Sequence, residues 1–389
     1  MKDYKQFYRR FWLLTGLMAL WGAVIAARLC FLHVVESADL KQRADRQQQR
    51  TFEISPRRGV IYDRNGNELA ISIKVDSVFG VPDEITDPAR TARLLSAITG
   101  VPKSELLDRF DTDKSFIWVK RKVSAPEANA IQKLRLKGIY FQKEDRRFYP
   151  KKQLAAHVLG YVNMDEEGIG GLEYEYNDSV HGQSGRAVVM TDARGHSYQS
   201  LQQPPAPGAN LITTLDENIQ YILEKELQDT AQRTRAEGIS IVVMDPRSGG
   251  ILGMANYPQF NPNEYGKYPS STWLNRAVNH VYEPGSTFKI VTIGSALEEG
   301  LTTPYERIDC QLGSIVLYGH RIRDHKPFGV LTVQEIMKNS SDVGAIKLGL
   351  RLGDDRFASY IDRMGFGRST HVDLPGEERG LVKPASRWS

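Results

Sequence analysis

The chain has 389 residues, 41% of them hydrophobic and 25% charged, with a formal net charge of +4. That length exceeds one small core and predicts two folded domains, and the composition excludes a disordered chain. The small charge, with no Lys/Arg patch interleaved with aromatics, argues against nucleic acid as a partner. The two cysteines, Cys30 and Cys310, allow no disulfide framework, and no Cys/His spacing suggests a metal.

In chain order, the first signal is a membrane segment. Phe11 to Ala27 is seventeen residues without a charge, and the apolar run continues past Arg28 to Val35. The length suits one crossing, with Arg28 or His33 snorkelling to the interface. Lys2, Lys5, Arg9 and Arg10 precede the run, which predicts a cytoplasmic tail over 1–10, an anchor over 11–35 and everything later outside. A cleaved signal peptide is the alternative, but its apolar core would be shorter and no Ala-x-Ala follows. With an uncleaved anchor, Cys30 lies in the membrane and Cys310 outside it, so the two do not pair. Residues 38–50 are polar and helix-prone, and read as a stalk.

Asn65-Gly66 between Val60-Ile61-Tyr62 and Leu69-Ala70-Ile71 signals a β-hairpin. Residues 72–155 alternate short apolar strands with charged helical stretches and offer no catalytic constellation. His157 has no second metal-type ligand at usable spacing and reads as structural. Gly168-Ile169-Gly170-Gly171 lacks a following Lys-Ser/Thr and reads as a turn. Pro204, Pro205, Pro207 and Gly208 mark a domain boundary, giving a module over 36–208 and a second domain over 209–389.

Beyond the boundary, Asp216 to Gln228 suits a helix with Ile219, Ile222, Leu223 and Leu227 on one face. Ile239 to Met244 and Ile251 to Ala255 read as strands joined by a turn over 245–250. Helix, hairpin and helix in succession predict an α+β fold, an antiparallel sheet covered by helices. Thr332-Val333-Gln334-Glu335 has the capping-box form, and Asn339-Ser340-Ser341-Asp342 can end that helix and cap the next.

The chemistry concentrates in Pro284-Gly285-Ser286-Thr287-Phe288-Lys289. A helix starting at Ser286 places Ser286 and Lys289 on one face, one turn apart. A serine hydroxyl needs a base within reach, and a lysine serves only if burial or a nearby cation favours its neutral form. The helix start also supplies N–H groups that can hold an oxyanion. About one accidental Ser-x-x-Lys is expected in a chain this size. This one is unique in the sequence and sits in an apolar helix that would bury Lys289.

Several motifs together resemble the class B penicillin-binding proteins, membrane-anchored peptidoglycan transpeptidases. They are the Arg58-Gly59-x-Ile61-x-Asp63-Arg64-Asn65-Gly66 hairpin, Asn261-Pro262-Asn263, Asn275-Arg276-Ala277 and Pro284-Gly285-Ser286-x-x-Lys289. The resemblance runs from the anchor to residue 389. It implies a mostly-β N-terminal module of pedestal or dimerisation type, then a transpeptidase domain of the serine β-lactamase-like fold. By it, Ser286 is the acylated nucleophile, Lys289 its proton acceptor and Ser340 the first residue of a second element that relays protons. The third residue of that element is usually Asn, and here it is Asp342. A carboxylate cannot donate to a substrate carbonyl as an amide does, and near Lys289 it favours the ammonium form. No Lys-Ser-Gly or Lys-Thr-Gly follows residue 342, so the resemblance implies a C-terminally truncated transpeptidase domain.

The activity implied is a D,D-transpeptidase on the outer face of the cytoplasmic membrane. Ser286 attacks the D-Ala–D-Ala carbonyl of a peptidoglycan stem peptide, and the acyl-enzyme passes to a neighbouring strand's amine. No metal or organic cofactor is implied, and β-lactam antibiotics acylate the same serine. The short stalk and compact module resemble the septal branch, active in division or sporulation. That branch implies a membrane glycan polymerase of the shape-elongation-division-sporulation class, and other divisome membrane proteins, as partners. A β-lactam sensor or hydrolase and a non-catalytic scaffold are the alternatives.

Overall fold

The computed structural model describes residues 2–34, 49–112, 114, 116–191 and 197–388. Residues 35–48, which hold most of the expected stalk, lie outside the described residues. Helix α1 (Lys2–Val34) carries the apolar run, and its stretch Phe11–Val34 is long and apolar enough to cross a membrane. At 1.5 Å per residue that stretch measures about 36 Å. Its large apolar side chains, among them Trp12, Leu14, Met18 and Trp21, are exposed.

The chain divides into two compact units, one of residues 1–59, 74–145 and 181–209 and one of 60–73, 146–180 and 210–389. In the first, residues 76–80 pair antiparallel with the strand Ile117–Val123, and helices Pro88–Thr99, Lys103–Phe110 and Ala125–Leu134 pack over them. Val78, Leu95, Leu106, Val119 and Ile131 form its core. Local signals set the helix ends. Asp87 accepts from Arg90 N–H ahead of Pro88, and Ser124 and Glu127 close a capping box. Gln49–Ile54, Gly185–Thr191 and Ser197–Gln203 form a separate three-stranded antiparallel sheet with the middle segment central.

The second unit begins with the hairpin read from Asn65-Gly66. Strand β1 (Ile61–Tyr62) pairs with the start of β2 (Glu68–Gly80), and Gly66 takes φ +86° in the turn. Asp63 explains the motif's acidic position. Its buried carboxylate accepts the N–H groups of Asn65 and Asn67, each at 2.8 Å, Asn67 Nδ2 at 3.0 Å and Glu217 N–H at 3.1 Å. Burial pushes this carboxyl up, yet the hydrogen bonds from Asn67, Glu217 and Asn65 outweigh it and hold it below the ordinary 3.8. A depressed carboxyl stabilises the fold above its unfolded pKa, and that contribution is lost as pH falls through the folded value. Asp63→Ala is therefore expected to cost about 1–3 kcal/mol near neutrality. Urea midpoints of variant and parent should differ at pH 7 and draw together only as pH falls below the ordinary 3.8 toward the lower folded value.

Helix α2 (Glu217–Thr234), capped by Asp216, lies on the antiparallel pair β3 (Ile239–Met244) and β4 (Ile251–Tyr257). The face it buries is rotated from the apolar stripe. Gln220, Glu224, Leu227 and Ala231 are buried, while Ile222 is exposed. The cause is polar. Gln220 exchanges hydrogen bonds with the Met254 backbone (2.9 and 2.8 Å), and Glu224 accepts Ala155 N–H at 2.6 Å. Gly253 lets the helix approach, since a Cβ there would meet Leu223 Cδ1 at 2.7 Å.

Next come α3 (Lys289–Glu298), the hairpin β5 (Ser314–Leu317) and β6 (His320–Arg323), then α4 (Val333–Asn339), α5 (Asp342–Leu352) and α6 (Asp354–Arg363). Ile293, Ala296, Ile336, Val343 and Leu348 bury α3, α4 and α5 against one another. Gly344 permits the tight α4–α5 angle, because a Cβ there would meet Ile336 at 2.6 Å.

Candidate active site

Two chain turns build the site. Pro284 and Gly285 (φ +57°) lead into one 3-10 turn, Gly285–Phe288, that runs directly into α3. A Cβ on Gly285 would meet nothing within 4 Å, so the glycine serves the left-handed backbone and not close packing. Thr287 fastens the turn, its N–H and Oγ1 donating to Pro284 O at 3.3 and 2.6 Å. Ser286 thus sits in a 3-10 turn and not in the first α-helical turn, with Lys289 on the same side. Ser286 is exposed, whereas Lys289 is 9% exposed.

The second turn joins α4 to α5. The Thr332–Glu335 capping box starts α4, and Ser340 ends it at φ +56° with its N–H on Met337 O. Ser341 then caps α5 by accepting Gly344 N–H at 3.0 Å. This geometry aims Ser340 and Asp342, but not Ser341, at Lys289.

All four expected site residues meet. Ser340 Oγ donates to Ser286 Oγ at 2.8 Å. Lys289 Nζ lies 3.0 Å from Ser340 Oγ, 2.6 Å from Ser340 O, 2.5 Å from Asp342 Oδ1 and 3.3 Å from Ser286 Oγ. An ammonium has three protons. Four oxygens compete for them, and the contact to Ser286 is the longest. Both contacts end on Ser286 Oγ as acceptor, so Lys289 can take the serine's proton, directly or through Ser340, only as the neutral amine. A cleft of about 460 Å³ opens beside the group, lined by Lys289, Asp342, Phe288, Tyr318 and Ile322 among others.

One participant escaped the sequence reading. Asp324, just after β6, accepts the N–H groups of Asp342 (2.6 Å) and Val343 (3.0 Å) on Oδ1, and Ser341 Oγ (2.7 Å) on Oδ2. Its sole sequence signal is an acidic residue following a β-hairpin, and no local pattern ties it to a helix that starts eighteen residues later. Other motif residues are structural. Asn263 clamps the Tyr149 backbone from both sides (2.9 Å each), and Asn275 Oδ1 accepts from Asn256 Nδ2 at 2.9 Å. His157 is buried with Nε2 on Thr272 O at 2.9 Å, and burial pushes its pKa down to about 4. It stands as a neutral, hydrogen-bonded core residue.

A hydroxyl at the head of a helix, with a lysine and a second hydroxyl in contact, is the arrangement that serine acyl transfer requires. Two family models match the chain, the penicillin binding protein transpeptidase domain over residues 239–389 and the penicillin-binding protein dimerisation domain over 53–213. The "Probable peptidoglycan D,D-transpeptidase PenA" of Neisseria meningitidis is 36% identical over 382 residues, which cover 96% of this chain and 65% of that protein. The "Probable peptidoglycan D,D-transpeptidase PbpC" of Pseudomonas aeruginosa is 31% identical, covering 98% and 68%. Among solved structures, a peptidoglycan synthetase from Bifidobacterium adolescentis is similar at a TM-score of 0.64 and 25% identity, over 88% of this chain and 68% of that one. The chain belongs to the class B penicillin-binding protein family. It spans 65% of the length of the Neisseria relative.

Proposed function

We propose that the chain acts in peptidoglycan cross-linking as a D,D-transpeptidase whose acyl-enzyme forms on Ser286. The observation that carries this reading is the contact triangle of Ser286 Oγ, Ser340 Oγ and Lys289 Nζ, with edges of 2.8, 3.0 and 3.3 Å. Ser286 attacks the penultimate D-Ala carbonyl, the C–N bond breaks, and the departing D-Ala amine takes the serine's proton through Lys289 and Ser340. The acyl group then passes to a stem-peptide amine. Relatives named as peptidoglycan D,D-transpeptidases support the substrate class. The exposed apolar helix α1 supports a single crossing of the cytoplasmic membrane, with the basic N-terminus inside. A membrane glycan polymerase and other division proteins are the partners that fit such an anchor.

The test is labelling of the chain by a fluorescent penicillin, beside Ser286→Ala. A β-lactam opens without losing a fragment, so the intact mass should rise by the whole penicillin and the adduct should vanish in the variant. A folded parent that takes no label would sink the catalytic reading.

The Lys289–Asp342 ion pair favours a second reading, a scaffold without turnover, because it draws Nζ from the nucleophile. Asp342→Asn separates the two. On the catalytic reading, acylation should quicken roughly fivefold, the scale of one partly exposed ion pair. On the scaffold reading, neither Asp342→Asn nor Ser286→Ala changes growth complementation, and no adduct forms.

A further inference from the structure

We infer that Asp324 is a positioning residue for the acylation site, holding Ser340 and Asp342 in place through the N-terminus of α5; this rests on the transpeptidase reading above. The carboxylate satisfies the first two N–H groups of α5, and its other oxygen takes the Ser341 hydroxyl. Those three donors come from consecutive residues 341–343, and residue 340 immediately precedes them. Ser340 occupies a left-handed conformation that a non-glycine residue keeps only where its surroundings enforce it. Two anchors enforce it. From the α4 side, Ser341 N–H bonds Ile336 O at 3.0 Å. From the α5 side, Asp324 grips the next three residues.

Asp324 is itself fixed. Its N–H donates to Gly313 O at 2.8 Å, closing the base of the β5–β6 hairpin. Gly313 has φ +74°, and a Cβ there would meet Lys326 O at 2.5 Å and Asp324 Cβ at 3.3 Å, so the hairpin and the carboxylate are packed as one piece. The hairpin also places Tyr318 and Ile322 on the cleft beside Lys289. Cleft wall and catalytic turn are thereby tied at a single side chain. Asp324 touches none of the reacting atoms; it acts through Ser340 and Asp342.

The experiment compares Asp324→Ala and the isosteric Asp324→Asn with the parent, as full chains in detergent, by stopped-flow acylation with a fluorescent penicillin. The acylation rate constant should fall about a hundredfold in Asp324→Ala, the scale of a 1 Å misplacement, and about tenfold in Asp324→Asn. The fraction of chains finally labelled should stay near the parent's. A merely structural residue would reverse this, lowering the labelled fraction and leaving the rate of the labelled chains alone. Adding Ser340→Ala makes the claim sharper. If Asp324 acts through Ser340, the double variant is no slower than Ser340→Ala alone, whereas additive losses overturn the assignment. Amide hydrogen exchange at residues 341–343 is the readout that needs no activity. Faster exchange in Asp324→Asn supports the positioning role even if the parent takes no label, which would count against the transpeptidase reading only. Unchanged exchange and an unchanged rate dispose of it.

Discussion

Lys289→Met should abolish most acylation, slowing it roughly a thousandfold, within the 10²–10⁴ range of a positioned general base. The substitution keeps an unbranched side chain of similar reach where Lys289 is almost wholly buried, so the packing of α3 should survive. Two oxygens lose their partner. Ser340 O is left without its 2.6 Å donor, and the Asp342 side chain, 46% exposed, is left to water. Melting temperature should therefore drop by only a few degrees while the chemistry fails. Lys289→Arg separates proton transfer from charge. A guanidinium can still contact Ser340 and Asp342, but it stays protonated and cannot accept the Ser286 proton. An arginine variant that acylates within tenfold of the parent would show that a fixed positive charge suffices and that Lys289 is not the base. Both rates are read by fluorescent-penicillin stopped flow, with circular dichroism confirming the fold.

How much of this site was written in the sequence follows from the range of each signal. The Ser286–Lys289 relation is local, so helical spacing alone put the two side chains one turn apart. The Thr332–Glu335 capping box and the Asn65-Gly66 hairpin were legible for the same reason. The Ser340–Ser286 contact joins residues 54 positions apart, and no periodicity encodes it; the resemblance to a family suggested it and the fold of α3 against α4 and α5 brings it about. Asp324 was invisible because its partners are backbone N–H groups, which every residue carries. On α2 the apolar stripe misled by a rotation, since buried Gln220 and Glu224 satisfy backbone groups of β4 and of Ala155, and Ile222 turns outward instead. Hydrophobic pattern finds faces that bury carbon; it does not find faces chosen to satisfy a strand edge.

Ser340 combines the hydroxyl proposed to relay protons with an unfavourable backbone, and a pair of substitutions can divide the two. Ser340→Ala removes the Oγ that links Lys289 to Ser286 at 3.0 and 2.8 Å but keeps a Cβ at φ +56°. Ser340→Gly removes the same hydroxyl and relieves the backbone, because glycine enters the left-handed region without the Cβ penalty of about 1–2 kcal/mol. Acylation should fall about a hundredfold in both, the lower end of what one proton-relaying group contributes. Stability should diverge, with the glycine variant melting above the alanine one by several degrees, on the order of 1 kcal/mol. If the two variants differed in acylation by as much as they differ in stability, the hydroxyl would be incidental and the backbone angle the thing conserved by the turn. Equal acylation losses with unequal melting points would instead assign the chemistry to Oγ and the strain to Cβ. The lysine carbonyl contact is unaffected by either change, since Nζ reaches the Ser340 main-chain oxygen at 2.6 Å. Lys289 therefore stays in place in both variants, and the lost rate measures the missing hydroxyl.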